Sequence, residues 1–182
     1  MELASQGARP LITSTPIFLV GFMGCGKTTV GEALARMLQR SFIDLDRLIE
    51  ARINETIADL IARDGEARFR ELETSILREV AGSASAVISL GGGAFTREIN
   101  RELIQGLGLS VWLDAPFELC WRRVASDPTV RPLAPDEQTA RRLYDARLDI
   151  YKIARFRVAV DETSDGDQIA SRISTMLNDN AA

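Results

Sequence analysis

The sequence predicts a three-layer α/β/α fold on a five-stranded parallel sheet, and three observations carry that prediction. Short apolar runs rich in branched residues alternate with longer segments of helical periodicity, the pattern of a parallel sheet wrapped by helices. A glycine-rich turn joins the first run to the first helix. The length of 182 residues, with 46% hydrophobic and 26% charged residues, suits one compact domain, and no repeat or linker divides it.

The elements follow in order. Ile17 to Val20 is the first strand, and the helix over Thr28 to Leu38 repeats apolar positions at Val30, Ala33, Leu34, Met37 and Leu38. Phe42 to Asp44 is a short second strand marked mainly by its flanks. Arg47 to Ile53 and Ile57 to Ala62 read as two short helices, and Asp64-Gly65 supplies a turn into a longer one. That helix carries Phe69, Leu72, Ile76 and Val80 on one stripe, with Arg70 and Glu73 on a neighbouring face at i, i+3. Val87 to Leu90, Ser110 to Leu113 and Arg157 to Val160 are the remaining strands. Asp114-Ala115-Pro116 with Glu118 reads as a helix start, its aspartate the cap, with Cys120 and Trp121 as core of that helix. Pro128, Pro132 and Pro135 make Ser126 to Glu137 a loop, and helices over Thr139 to Ile153 and Gln168 to Leu177 complete the chain.

Composition removes whole classes of chemistry. There is no histidine, which excludes an imidazole base, a serine-histidine triad and a histidine-ligated zinc. A net charge of −4 offers no broad cationic field for a nucleic-acid backbone. Two cysteines, Cys25 and Cys120, make no disulfide framework and point to a reducing, cytoplasmic compartment. Residues 1–15 are expected to be a flexible polar leader without a signal-peptide core, and no apolar run approaches the roughly 18 residues that span a bilayer. No membrane or nucleic-acid partner is expected.

Gly21 to Thr28 fits G-x-x-x-x-G-K-[ST] between a strand and a helix, the context a phosphate-binding P-loop requires. The glycines turn successive N–H groups toward an anion at a helix N-terminus, Lys27 reaches the β and γ phosphates, and the Thr28 hydroxyl can ligate Mg²⁺. Cys25 fills a variable position of the loop. The third strand runs into Ser89-Leu90-Gly91-Gly92-Gly93 and so lacks the terminal carboxylate of motor and switch ATPases, and no N-K-x-D motif reads guanine. Asp44 and Asp46 end the second strand two residues apart, which in extended backbone aims both carboxylates one way and Leu45 the other. One acid can support magnesium through water, and the other can accept a hydroxyl proton. Alone, the Asp-x-Asp pattern is more often a solvated turn than a site; beside a P-loop the two readings are even.

Taken together these residues resemble the shikimate kinases, small P-loop enzymes that pass the γ-phosphate of ATP to the 3-hydroxyl of shikimate. The resemblance runs from about Ile17 to Asp161. It rests on Gly21 to Thr28, Phe42 to Asp46 with Ile49-Glu50, Gly65-Glu66 with Phe69-Arg70 and Glu73, Leu90 to Gly93, and Val130-Arg131-Pro132-Leu133 with Arg147 and Tyr151 beyond. It implies a fold like that of the nucleoside monophosphate kinases, with an acceptor-binding segment over about 44–73 and a lid over about 124–137. It places Gly24, Cys25, Gly26, Lys27, Thr28, Thr29, Arg123 and Arg131 at ATP, with Arg123 near the adenine and Arg131 the lid arginine. Thr28 and Asp44 fall to one Mg²⁺ per subunit, Asp46, Arg70, Gly92 and Arg147 to shikimate, and Lys27, Asp46 and Arg131 to catalysis. A monomeric enzyme of aromatic amino acid biosynthesis is the expectation.

The chemistry fits independently. A carboxylate with three hydroxyls calls for arginines, a carboxylate and bare backbone. Arg147 lies on the apolar side of its helix with Leu143 and Ile150, a costly place for a charge without a task. Arg70 can equally pair with Glu73 on a wet helix face, and the triple glycine can equally be a strand-end turn. Ile61 stands where the family commonly has phenylalanine in the shikimate pocket. Two alternatives stay open: another small-molecule kinase such as a gluconate kinase, and a regulator that binds ATP without transferring phosphate.

Overall fold

The computed structural model describes residues 15–82, 85–127 and 132–180. Five strands form one parallel sheet among them: β1 (Ile17–Val20), β2 (Ser41–Asp44), β3 (Ala86–Ser89), β4 (Leu109–Asp114) and β5 (Phe156–Ala159), in the order β2-β3-β1-β4-β5. β1 is central, and all four of its residues are buried, as a strand covered on both faces must be. The edge strands β2 and β5 are more exposed. The pairing Asp44↔Ser89 and Leu19↔Ser89 brings the carboxyl ends of β1, β2 and β3 to one level, where ligands of open α/β sheets gather.

The helices are α1 (Lys27–Leu38), α2 (Leu45–Ile53), α3 (Ile57–Ala81), α4 (Glu98–Leu107), α5 (Phe117–Ala125), α6 (Glu137–Tyr151) and α7 (Gly166–Asp179). α3 joins the two helices expected on either side of Asp64-Gly65. At Gly65 the backbone leaves helical geometry for φ 83°, ψ 165°, so the break falls where the turn was expected. None of the seven is long and apolar enough to cross a membrane. The leader expected over 1–15 lies outside the described residues except for Thr15, and so do 128–131 of the expected lid.

Three expectations need correction. α4 was not anticipated, because its buried positions are Asn100 and Ile104 while Ile99 and Leu107 are exposed, which blurs the apolar stripe. Asp114 does not cap α5: that helix starts at Pro116 without a side-chain cap, and the Asp114 carboxylate accepts from Arg157, whose guanidinium lies over Trp112. Asp46 does not extend the second strand. The chain turns helical at Leu45, Asp44 becomes the N-cap by accepting from the Arg47 N–H at 3.2 Å, and Leu45 enters the core.

Gly108 ends α4 where the chain doubles back into β4 beside β1. A Cβ there would stand 2.5 Å from both the Pro16 carbonyl oxygen and the Phe18 ring. Gly108→Ala is therefore expected to cost about 1–3 kcal/mol, read as a lower urea midpoint with an unchanged m value. An unshifted midpoint would mean that this turn is loosely packed.

Candidate active site

Two clefts open at the carboxyl ends of β1, β2 and β3, and they share Met23, Thr28, Thr29, Asp44, Asp46, Gly92 and Asp127. One lies over the glycine loop, the other between α2, α3, α6 and the triple glycine.

The loop is shaped by its packing. Gly24 has φ 76°, and a Cβ on it would meet the Cys120 carbonyl oxygen at 2.4 Å, so α5 presses directly on the loop backbone. Gly26 caps α1 in the left-handed region with φ 100°, leaving the first N–H groups of the helix directed at the cleft. The buried Lys27 ammonium donates to the carbonyls of Gly21 and Phe22, each at 2.9 Å. From α5, Arg123 Nη1 donates to the Gly24 carbonyl at 3.2 Å. Arg123 thus lines the same cleft as Gly24, Gly26, Lys27, Thr28 and Thr29. Cys25 does not line it. Its side chain is fully buried beneath the loop, so any contact with a phosphate falls to its backbone.

Thr28 Oγ1 donates to Asp44 Oδ2 at 2.8 Å, which ties the start of α1 to the end of β2. Asp46, in the first turn of α2, lines both clefts with Asp44. The convergence expected of the two carboxylates therefore holds, although a strand-to-helix junction produces it rather than an extended segment.

The second cleft has an apolar wall and a charged floor. Ile57, Ile61 and Phe69 contribute to the wall. At the floor, the three glycines admit side chains onto bare backbone. A Cβ at Gly91 would stand 2.6 Å from Asp46 Oδ1 and 3.1 Å from Glu73 Oε1, one at Gly92 3.6 Å from Arg147 Nη1, and one at Gly93 2.4 Å from Arg70 Nη2. Close approach therefore crowds Gly91 and Gly93, whereas a Cβ at Gly92 would meet only ordinary van der Waals contacts. The Tyr151 hydroxyl donates to the Gly92 carbonyl at 2.5 Å and holds that peptide in place. Arg147 is buried beside it, and among the described residues it joins no ion pair. Arg131 lies outside the described residues.

Arg70 does pair with Glu73, at 2.9 Å, but the face is not wet. Glu73 has no exposed surface, and the Arg70 side chain, 14% exposed, also reaches Glu66 at 3.1 Å. Burial pushes the Glu73 carboxyl up to about 7, against the opposing pull of the Arg70 guanidinium and with a further push from Asp46. Glu73 is the site residue that the sequence reading left without a role. Its signal was an acid four residues from both Phe69 and Leu77, inside the buried stripe of α3.

A family model described as shikimate kinase matches residues 23–178. A shikimate kinase of Cereibacter sphaeroides is 43% identical over 166 residues, covering 88% of this chain and 81% of its own length. The structure of a shikimate kinase from Acinetobacter baumannii in complex with shikimate superposes with a TM-score of 0.88 at 36% identity, over 92% of this chain and 95% of the other. A gluconokinase from Sinorhizobium meliloti, over 93% of this chain and 94% of its own, reaches a TM-score of 0.60 at 20% identity, a likeness of fold alone.

The Glu73 carboxyl makes stability depend on pH in a definite direction. Between its ordinary value of 4.5 and about 7, the native state keeps a proton that the unfolded chain has released. This contribution to stability is complete below 4.5 and is lost as pH rises through about 7. Glu73→Gln, neutral at every pH, is expected to flatten that decline in urea midpoints measured from pH 5 to 8. An equally steep decline in the variant would assign it to other groups.

Proposed function

This chain belongs to the shikimate kinase family, and from that premise we propose that it passes the γ-phosphate of ATP to the 3-hydroxyl of shikimate, yielding ADP and shikimate 3-phosphate. The observation that carries the reading is the junction of the two clefts at Thr28, Asp44, Asp46 and Gly92, between a phosphate loop and a cavity floored by two arginines. Phosphoryl transfer needs donor and acceptor brought end to end with water excluded and charge neutralised.

In the donor cleft the loop N–H groups and Lys27 hold the phosphates, Thr29 lies along them, and Arg123 stands toward the adenine. Arg131 is assigned to the transferring phosphates from the lid. The residues at the junction fit Mg²⁺: a hydroxyl and a carboxylate 2.8 Å apart are hard oxygen donors, and a cation that keeps several waters needs no larger protein cage. Thr28 would bind it directly and Asp44 through its shell. Once bound, the ion would neutralise charge on the β and γ oxygens.

In the acceptor cleft Arg70 and Arg147 face the shikimate carboxylate over Gly92, and the apolar wall takes the ring. Asp46 accepts the hydrogen bond of the 3-hydroxyl and takes its proton as the new P–O bond forms. A single kinase domain acting as a monomer, with segment 44–73 binding the acceptor and 124–137 forming the lid, completes the reading. The two cysteines, buried and unbridged, suit a reducing cytoplasm.

Four experiments test this. With ATP and Mg²⁺, shikimate is expected to release ADP where gluconate and AMP do not; gluconate as the better acceptor would favour the rival kinase, and no acceptor at all would favour a regulator. Arg70→Ala or Arg147→Ala should weaken shikimate use by roughly 10- to 150-fold with ATP affinity held. An analogue with a neutral hydroxymethyl in place of the carboxylate should be penalised far less; equal penalties would remove the arginines from that role. For the acids, Asp46→Asn should lower kcat by roughly 10²- to 10⁴-fold. Asp44→Asn should instead raise the Mg²⁺ requirement, and an unchanged metal titration would withdraw it from the shell.

A further inference from the structure

α3 presents Arg70 to the acceptor cleft, but its own pairing with Glu73 and Glu66 lies within the same helix and cannot set how far that helix stands from the glycine floor. A third arginine does. Arg97, half-buried at the N-cap of α4, donates through Nη1 to the main-chain carbonyl of Arg70 at 2.6 Å and to the Thr74 hydroxyl at 2.7 Å. Those acceptors flank a single turn of α3, the turn that carries Arg70 and Glu73.

Arg97 is in turn rigidly joined to the floor. Only a short 3-10 turn over Ala94–Thr96 separates it from the triple glycine. Ala94 N–H donates to the Gly91 carbonyl at 3.0 Å, and Thr96 binds the Gly93 carbonyl through both N–H and hydroxyl, at 3.1 and 2.7 Å. Asn100 Nδ2 donates to the Ala94 carbonyl at 2.9 Å, and Arg101 braces the carbonyls of Phe95 and Thr96. Gly91 to Arg97 is thus one hydrogen-bonded block, and the Arg97 side chain is its grip on α3. Among the described residues Arg97 joins no ion pair; both of its hydrogen bonds go to α3, and its charge also opposes the rise in proton affinity of the buried Glu73 on the same turn.

We propose that Arg97 is a positioning residue for the acceptor: it fixes the span between the Arg70 guanidinium and the Gly91–Gly93 floor, and thereby where the acceptor's carboxylate is held. This rests on the assignment of Arg70 to that carboxylate. Arg97 touches no substrate and acts through Arg70. Arg97 bonds to neither the phosphate loop nor α5, so its effect on the donor site is expected to be small.

The test is a double-mutant cycle with steady-state kinetics on shikimate and on the hydroxymethyl analogue. Arg97→Met is expected to raise the shikimate KM by about 3- to 30-fold, the loss of one or two hydrogen bonds, with the ATP KM within about twofold and the analogue scarcely affected. On an Arg70→Ala background it should add less than about twofold, because the two residues act in series. Arg97→Lys should recover part of the loss. Thr74→Val, which removes one of the two acceptors from an isosteric side chain, should give a smaller shift of the same pattern and keeps the test available if Arg97→Met folds poorly. An unchanged shikimate KM in both Arg97→Met and Thr74→Val, fold-losses that multiply with Arg70→Ala, or parallel rises for ATP and analogue would overturn the proposal. A failure of the underlying reading is distinct: Arg70→Ala alone would then penalise shikimate and analogue equally.

Discussion

The acceptor half of the site depends on bare main chain, above all on the absence of side chains at Gly91 and Gly93. At the end of β3 the backbone of Gly91 to Gly93 receives Asp46 from α2, Glu73 and Arg70 from α3, and Arg147 from α6. Four charged groups from three helices converge on a strip of main chain because nothing projects from it. A methyl at Gly91 or Gly93 would occupy the space of a carboxylate oxygen or a guanidinium nitrogen. The reason is steric and not conformational, since none of the three has the positive φ found at Gly24, Gly26 and Gly65.

Gathering charges in a buried place is costly, and the arrangement contains that cost by mixing signs. Glu73, without exposed surface, is held against Arg70, and its elevated proton affinity lets it become neutral near pH 7 when the local balance demands. Arg147 has no such companion among the described residues. It lies instead against the Tyr151 hydroxyl, and on the proposed reading the acceptor's carboxylate completes its pairing.

Much of this was legible in the chain. The order of five strands followed from branched apolar runs, because a parallel sheet covered on both faces leaves its strands continuously hydrophobic. The phosphate loop was legible because its chemistry is local, confined to eight successive residues. The triple glycine, Arg70 and Arg147 were legible as residue types, and their grouping at one acceptor came from the family resemblance, since only packing brings α3 and α6 to the same floor. α4 escaped because its inward face holds an asparagine. Asp46 was placed on the right side for the wrong reason, as the residue types at 44–46 do not disclose that the chain turns helical at once. Glu73 and Arg97 were the least legible. One is an ionisable group whose residue type argues against the burial that its spacing from Phe69 and Leu77 implies, and the other acts on main chain, which leaves no complementary residue type to find.

The bond from Tyr151 to the Gly92 carbonyl has a consequence in the electronics of the floor. A peptide group is a conjugated unit, so drawing electron density toward its oxygen withdraws it from its nitrogen, and hydrogen bonds in sequence polarise one another. The unit whose oxygen Tyr151 engages carries the N–H of Gly93. A phenol bonded to that oxygen thus polarises the peptide that lies beside Arg70 and Arg147. The floor is therefore more than an opening left by small residues. It is a stretch of main chain tied from behind to α6, so that the orientation of its peptide dipole is set by the fold.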